Sequence, residues 1–565
     1  PWWVGDTQYD TAAIVNCKKK EAQMKKLIII PLLLLSMTLG ATKLYVSETG
    51  NDGTGDGSSG NPYALVSYAC TQASSGDTIY VNPGTITETA QVVVPVGVSI
   101  YGAGPTSIIN STLTGTGPGA WAIRLYSATL TDGNQSISYI KLTGSDYTAP
   151  QGIQIWERNN VSIHHCTIES FEYWGVEFIY PYSMGEPNPT EFCDGNSFYD
   201  NIITNCAGYS TSGYAALSIN GQDGLLVYNN VFTQNKVDGT NGMCIKGVDG
   251  INKNVKIHDN EIYLPVFDGT DHWDFAIELW DCRGGVEIYD NYLEGCIDIG
   301  GKINTKGDSD YSVWIHDNTI TQTEQALSSH TRGFIIEGHL NNEDIIIERN
   351  YIDYVCQGIG IGQPSITEET VWKNIRISYN IFNHIGLADS KATHSKGWGI
   401  FWGDVLDTQT FDNFEIYNNI FIAKIGTYST MWGIQIPGVV ATNIKIKNNI
   451  VENFDYAGIF GYNDGDLDVT CDYLWIENNC LYNNGNSNVP RYGPDYTPTN
   501  NTTQNNIIAD PVFKSQSTYR LTPSSPCIDA GIDVGLDYDY YGHKITGTPD
   551  IGAMEYGRYI MKIKE

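Results

Sequence analysis

The sequence predicts an all-β solenoid of about 12 or more coils, and three observations predict it. An apolar-x-apolar-x-x-Asn-x-apolar motif recurs as Val255–Ile262, Val286–Leu293, Val313–Ile320, Ile345–Ile352, Ile375–Phe382, Phe414–Phe421, Ile444–Val451 and Leu474–Leu481. Its Asn falls at positions 201, 230, 260, 291, 318, 350, 380, 419, 449 and 479, with Ile140 and Cys166 in the same slot earlier, so twelve slots recur about every 31 residues. Between slots the apolar residues alternate with period two, which is strand spacing and not helix spacing. An Asn at a repeated corner tolerates left-handed backbone and can hydrogen-bond to its copy one coil away, giving a buried amide ladder. With strands ~4.8 Å apart, eleven steps make a rod of roughly 50 Å.

Taken in order, residues 1–23 read as lying upstream of the true start and 24–41 as a signal peptide: Met24-Lys25-Lys26, the apolar run Leu27–Leu35, then small residues ending Leu39-Gly40-Ala41. The apolar run is too short for a stable transmembrane span. Residues 42–110 form an N-terminal cap and first coils, 111–485 the solenoid, and 486–565 a C-terminal closing segment. The expected location is secreted, cell-surface or periplasmic, and the expected state a monomer.

The chain has 64 Asp+Glu against 32 Lys+Arg, with 59 Gly, 37 Tyr and 13 Trp. Loss of residues 1–41 removes three acids (Asp6, Asp10, Glu21) and five lysines, taking the net charge from −32 to −34. With no basic stripe, nucleic acid is excluded as a partner. Eleven cysteines follow residue 41, an odd number that leaves at least one thiol unpaired within the chain. No Cys-x-x-Cys or His-Glu-x-x-His spacing points to zinc.

The opening Leu44-Tyr45-Val46-Ser47-Glu48-Thr49-Gly50, the helical stretch near Pro62–Ala73, and Gly76-Asp77-Thr78-Ile79-Tyr80-Val81-Asn82-Pro83-Gly84 stand before the repeats. Ala509-Asp510-Pro511, Ser525-Pro526-Cys527-Ile528-Asp529-Ala530-Gly531 and Asp550-Ile551-Gly552-Ala553 stand after them. With the Asn repeat, these segments resemble the right-handed parallel β-helix proteins of the pectate-lyase-like superfamily, in particular a secreted bacterial group. The resemblance implies a right-handed parallel β-helix with a short N-terminal capping helix and a C-terminal closing segment, and extracellular work on a polysaccharide. It carries no activity across, because the superfamily holds lyases, hydrolases, epimerases and inert adhesins.

In such folds the ligand groove follows one strand of each coil. Here the Gly/Ala-apolar-x-apolar strand between Asn corners is the candidate, and its outward positions read Gln154, Glu177, Ser218, Cys244, Glu278, Asp298, Ile335, Gly360, Phe401, Gln435 and Phe460. A second row two residues on reads Trp156, Ile179, Asn220, Lys246, Trp280, Gly300, Glu337 and Gly362. Charge gathers in mid-rod: Lys246, Glu278, Asp298 and Glu337 on consecutive coils, with Asp281, Arg283, Lys302 and His339 just beyond the strand ends. Glu278 and Asp298, one coil apart, suit a shared divalent cation.

Three readings of the cluster stand open. A Ca2+ held by Glu278, Asp298 and Glu337 acidifies a uronate while Lys246, Arg283 or Lys302 takes the proton, which makes a calcium-assisted polysaccharide lyase, the leading reading. The carboxylates act as acid and base or nucleophile on a glycosidic bond, which makes a hydrolase. Or the cluster only balances charge on a wet face. A non-catalytic surface or carbohydrate-binding protein is the alternative from another class. Trp156, Trp280, Glu177, Asn220 and His339 are the expected substrate contacts. Trp174, Trp273, Trp398 and Trp432, where strands begin, are expected mainly to pack, and the insertions 180–195, 264–275 and 386–397 to wall the groove. His258 and His316 share a coil position with Tyr228, Tyr289 and Tyr417 and read as structural. Asp52 and Asp56, with Asp533, Asp537 and Asp539, are turn acids that also suit structural calcium. The polygalacturonase motifs and the Tyr-Gly-Phe-Asp-Pro-His motif of alginate epimerases are absent. Lys246 and Asp298 are expected to point to solvent, so that their truncation removes activity and spares the fold.

Overall fold

A computed structural model describes residues 41–557 except 116–118, 146, 148, 183–184, 187–188, 208–213, 235–242, 248–249, 265–274, 322–331, 363–369, 387–396, 403–408, 425–429, 438–439, 462–470, 486–489 and 493–495, and the side chains of His339, Thr430 and Met431. By contacts the chain divides into Pro1–Thr42 and Lys43–Glu565, and the solenoid lies in the second unit. Residues 24–40 of the expected signal peptide lie outside the described residues, among which no helix is long and apolar enough to cross a membrane.

The chain winds as a right-handed parallel β-helix with three strands in a typical coil, each pairing in parallel with its copy one coil away. One coil runs Phe275–Trp280, Val286–Tyr289 and Tyr292–Leu293, and pairs with Cys296–Asn304, Val313–His316 and Thr319–Thr321. Within each strand period-two alternation sends Ile, Val, Leu and Phe inward, where Ile277, Ile288, Leu293, Ile297, Ile315 and Ile320 are wholly buried. The cap expected near Pro62–Ala73 is the helix Val66–Gln72, which turns Val66, Ala69 and Cys70 onto the first coils. Glu88 holds its start, accepting from the Ser67 N–H at 3.1 Å and hydroxyl at 2.7 Å.

The Asn corner is a ladder. From Asn201 to Asn506 each side-chain amide donates to the next Oδ1 at 2.9–3.0 Å. The same Oδ1 also accepts the backbone N–H of the preceding Asn, as Asn291 Oδ1 does from Asn260 at 3.0 Å, and the second amide hydrogen reaches a strand carbonyl, as Asn291 Nδ2 does to Ile257 at 2.9 Å. Both side-chain polar atoms of a ladder Asn are therefore met. Asn506 escapes the sequence pattern because no apolar-x-apolar pair precedes it. The left-handed residue is also one place earlier than expected: Asp259, Asp290 and Asp317, each just before a ladder Asn, have φ of 53°, 52° and 56°. These short polar side chains tolerate that region.

Outside the corner the histidines expected to be structural stack in a column, His164–Tyr199–Tyr228–His258–Tyr289–His316, with centroids 4.7–5.2 Å apart and planes within 8°. The C-terminal segment folds back along the side of the solenoid: Tyr519, Leu521, Cys527, Ile551, Ala553 and Met554 bury Ile381, Ile420, Ile450 and Cys480. Asn418 Nδ2 donates to Gly552 O at 3.1 Å and Asn448 Nδ2 to Ile532 O at 2.8 Å.

Asn291→Ala orphans the buried backbone N–H of Asn260, removes one acceptor of its side-chain amide and leaves the Ile257 carbonyl without its amide, at a cost of about 3 kcal/mol. Thermal unfolding of this variant is expected well below that of the native chain, while Asp308→Ala, at an exposed position, stays near native.

Candidate active site

The strand Phe275–Trp280 and its neighbours form the face that carries the charges. Strand pairing sets the outward row as Arg124, Gln154, Glu177, Ser218, Lys246, Glu278, Asp298, Ile335, Gly360 and Phe401. This corrects the expected register at one coil. Ile245, not Met243, is the inward partner of Leu217 and Ile277, so Lys246 stands in the first row beside Glu278, and Cys244 is wholly buried. The irregular strand start misleads the motif, because Cys244 fills a slot that an apolar residue also fits.

Lys246 Nζ lies 3.0 Å from Glu278 Oε2. Asp298 is the Cα partner of Glu278 in the next coil, and Glu337 the partner of Gly300, two residues along the same strand. The expected exposure of this group is wrong: Lys246, Glu278, Asp298 and Glu337 point away from the core yet expose 8%, 5%, 0% and 5% of their surface. Burial, with Glu337 and Glu278 close by, pushes the Asp298 carboxyl well above the usual carboxylate range. Burial and Glu278 push Glu337 up to about 7, partly offset by Arg332. Asp298 Oδ2 accepts from Trp280 Nε1 at 3.4 Å, and its Oδ1 has no hydrogen-bond partner among the described residues. A protonated Asp298 thus has an oxygen free to donate.

Trp280 is half-buried and lies flat across Gly300, whose missing Cβ would fall 2.0 Å from the indole nitrogen. Arg332, which the sequence motif does not include, joins the cluster from the other side. It sits one residue before the motif strand that starts at Gly333, and its side chain runs against Gly360, 3.4 Å from where a Cβ would stand. Extending the strand by one residue finds it.

The other expected site residues do different work. Arg283 Nε is 2.5 Å from the wholly buried Asp281, whose Oδ2 accepts the Gly185 N–H at 2.7 Å, while Arg283 Nη2 donates to Glu186 O at 2.8 Å. This pair pins the 185–186 part of the expected wall loop and is committed there. Lys302 lies beside Gly185, 3.6 Å from its notional Cβ. Glu177 accepts from Gln154 at 2.8 Å, which accepts from Arg124 at 2.7 Å, a polar run toward the N-terminal end of the row. Asn220 donates to Ser218 at 3.0 Å and is buried. Trp156, half-buried, donates to Glu157 at 3.0 Å and lies 6.3 Å from Tyr126. Trp174, Trp398 and Trp432 pack in apolar clusters, as expected. Trp273, the His339 side chain, nearly all of 264–275 and 386–397, and parts of 180–195 lie outside the described residues.

The expected Ca2+ does not fit this donor set. Glu278 is engaged by Lys246, burial pushes Asp298 toward its neutral form, and among the described residues no three His, Cys, Asp or Glu side chains are placed to hold one ion. No step is derived through a metal.

No protein-family model and no curated protein sequence matches the chain. Among solved structures it is similar to XylC in complex with xylose, at 12% identity over 91% of this chain and 99% of that one, with a TM-score of 0.43. It is similar to the catalytic domain of a GH87 α-1,3-glucanase, at 14% identity over 78% of this chain and 66% of that one, TM-score 0.42. It is also similar to the periplasmic alginate epimerase AlgG, at 14% identity over 77% and 85%, TM-score 0.35. At these values none of them assigns a role to any residue of the cluster.

Gly300→Ala is expected to displace Trp280 from Asp298, read as a red shift and quenching change in tryptophan emission without loss of the solenoid's circular dichroism. Glu337 carries a pH signature as well. Its pKa is raised on folding, so the proton it holds stabilises the fold at acid pH, and that contribution is lost as pH rises through about 7. The melting temperature of the native chain should therefore fall between roughly pH 5 and pH 8, by more than that of Glu337→Gln.

Proposed function

We propose that the chain is a carbohydrate-active enzyme that cleaves a glycosidic bond of a polysaccharide by acid–base catalysis at Glu278, Asp298 and Glu337. The observation that carries this reading is the unequal surroundings of three carboxyls stacked in one buried group. Lys246 pairs with Glu278 at 3.0 Å, while burial and like charge push Asp298 well above the usual carboxylate range and Glu337 up to about 7. Neighbouring carboxyls whose environments push them apart are what acid and base roles require. In this reading the protonated carboxyl gives its proton to the leaving glycosidic oxygen as the C–O bond breaks. Glu278 takes a proton from the attacking water or itself attacks the anomeric carbon. Trp280 offers a ring face to a sugar.

A uronate lyase is the second reading, supported by Lys246 and Arg332, two cations that would face a uronate carboxylate. The two are separated by the products. Incubated with neutral and uronate-containing polysaccharides, the chain is expected to release reducing ends without ultraviolet absorbance from unsaturated sugars, with or without chelator. Glu337→Gln and Asp298→Asn, which keep shape and burial, should each lower turnover by about 10²–10⁴. Absorbance would favour the lyase, chelator-sensitive turnover would return calcium to the site, and silence across the panel would mean a binding protein. Undiminished turnover in both variants would remove the site assignment. Lys246→Ala is the poorer probe, since breaking one side of a buried ion pair costs about 3–5 kcal/mol in stability.

A further inference from the structure

We infer that Cys480 and Cys527 are joined by a disulfide when the chain folds under oxidising conditions, fastening the C-terminal segment to the side of the solenoid. This bond is independent of the proposed reaction. Cys480 begins the strand Cys480–Tyr482, and Cys527 lies in the returning segment, within Ser525-Pro526-Cys527. Both are wholly buried in one apolar cluster with Ile450, Leu521 and Ile551. Both are free thiols that share this cluster, and the Cys480 thiol donates to Ala509 O at 3.2 Å.

Backbone contacts hold both sides of the pair. Cys480 N–H donates to Asn449 O at 2.8 Å, and Asn478 Nδ2 reaches across to Ala530 O at 2.9 Å. On the other side Ile551 N–H donates to Cys527 O at 2.9 Å and Cys527 N–H to Ser525 Oγ at 3.2 Å. The two segments that carry these cysteines are therefore held side by side by contacts that need no covalent bond. Other buried thiols are aimed at carbonyls: Cys166 at Ile137, Cys193 at Ile179, and Cys206 at Ile168.

The oxidant is a small or protein disulfide, such as oxidised glutathione. One cysteine thiolate attacks it, forming a mixed disulfide and releasing one thiolate. The second cysteine thiolate then displaces the other half, so that the two cysteines lose two electrons and two protons and the oxidant becomes two thiols. The neighbouring Cys527, together with burial, pushes the Cys480 thiol far above its ordinary range in the docked state. Exchange therefore belongs to the stage at which the segment settles onto the solenoid.

The test refolds the full chain with a reduced and oxidised glutathione buffer, alkylates it with iodoacetamide in denaturant, and maps the peptides without reductant. A Cys480–Cys527 cross-linked peptide pair, two hydrogens lighter than its separate halves, is the expected result. Recovery of both cysteines alkylated would overturn the inference. In parallel, dithiothreitol should lower the melting temperature of the oxidised native chain by several degrees and leave the Cys480→Ser/Cys527→Ser double variant unmoved. An equal response in both would also overturn it, and because the double variant needs only to melt cooperatively, a modest loss of stability does not spoil the comparison.

Discussion

One side-chain amide per coil governs this molecule. A strand–turn–strand corner leaves backbone donors inside the solenoid with no water to receive them, and a buried unpaired N–H costs on the order of 1–3 kcal/mol. From Asn201 to Asn506 the Asn side chain answers that demand, accepting two N–H groups of the coil on one side and donating to the next Asn. Because the Asn must meet its copy, every coil turns at the same place, and the strands on either side of the corner are locked in register. Insertions are then confined to the other corners, so the lengths between slots vary while the stack does not.

That locked register makes a charge cluster possible. Strand pairing places Lys246, Glu278 and Asp298 in successive coils of one row, with Glu337 diagonal to them. The price is electrostatic. Two further carboxyls stand near a wholly buried Asp298, and the most favourable resolution is to keep protons on some of them and an ammonium beside another. Gly300 gives Trp280 the space to lie over the group, and Gly360 gives Arg332 the space to approach it. A purely structural solenoid would be better served by threonine or valine in this row.

The sequence was most legible where one residue answers one repeated physical demand. The Asn slots, the inward apolar alternation and the convergence of Lys246, Glu278, Asp298 and Glu337 all follow from the repeat. It was less legible where a coil is irregular. Cys244 passed for an outward residue because a small, soft side chain suits either face, and that displaced Lys246 by one row. Arg283 looked like a free cation until Asp281 and the 185–186 backbone claimed it, a contact between residues about a hundred positions apart that no local pattern encodes. Solvent exposure was misjudged for a related reason. Period-two alternation says which side of a strand a residue leaves from, not what lies over that side, and the calcium reading depended on open carboxylates.

The protons held in this cluster are the core of the account, and infrared spectroscopy of the carboxyl C=O stretch reads them directly. A band of protonated, poorly solvated carboxyl should persist at about pH 6, where ordinary Asp and Glu are ionised, and should weaken in Asp298→Asn and again in Glu337→Gln. If the native chain shows no such band until the pH falls to about 4, the carboxyls are ordinary anions and the acid–base account of the site is wrong.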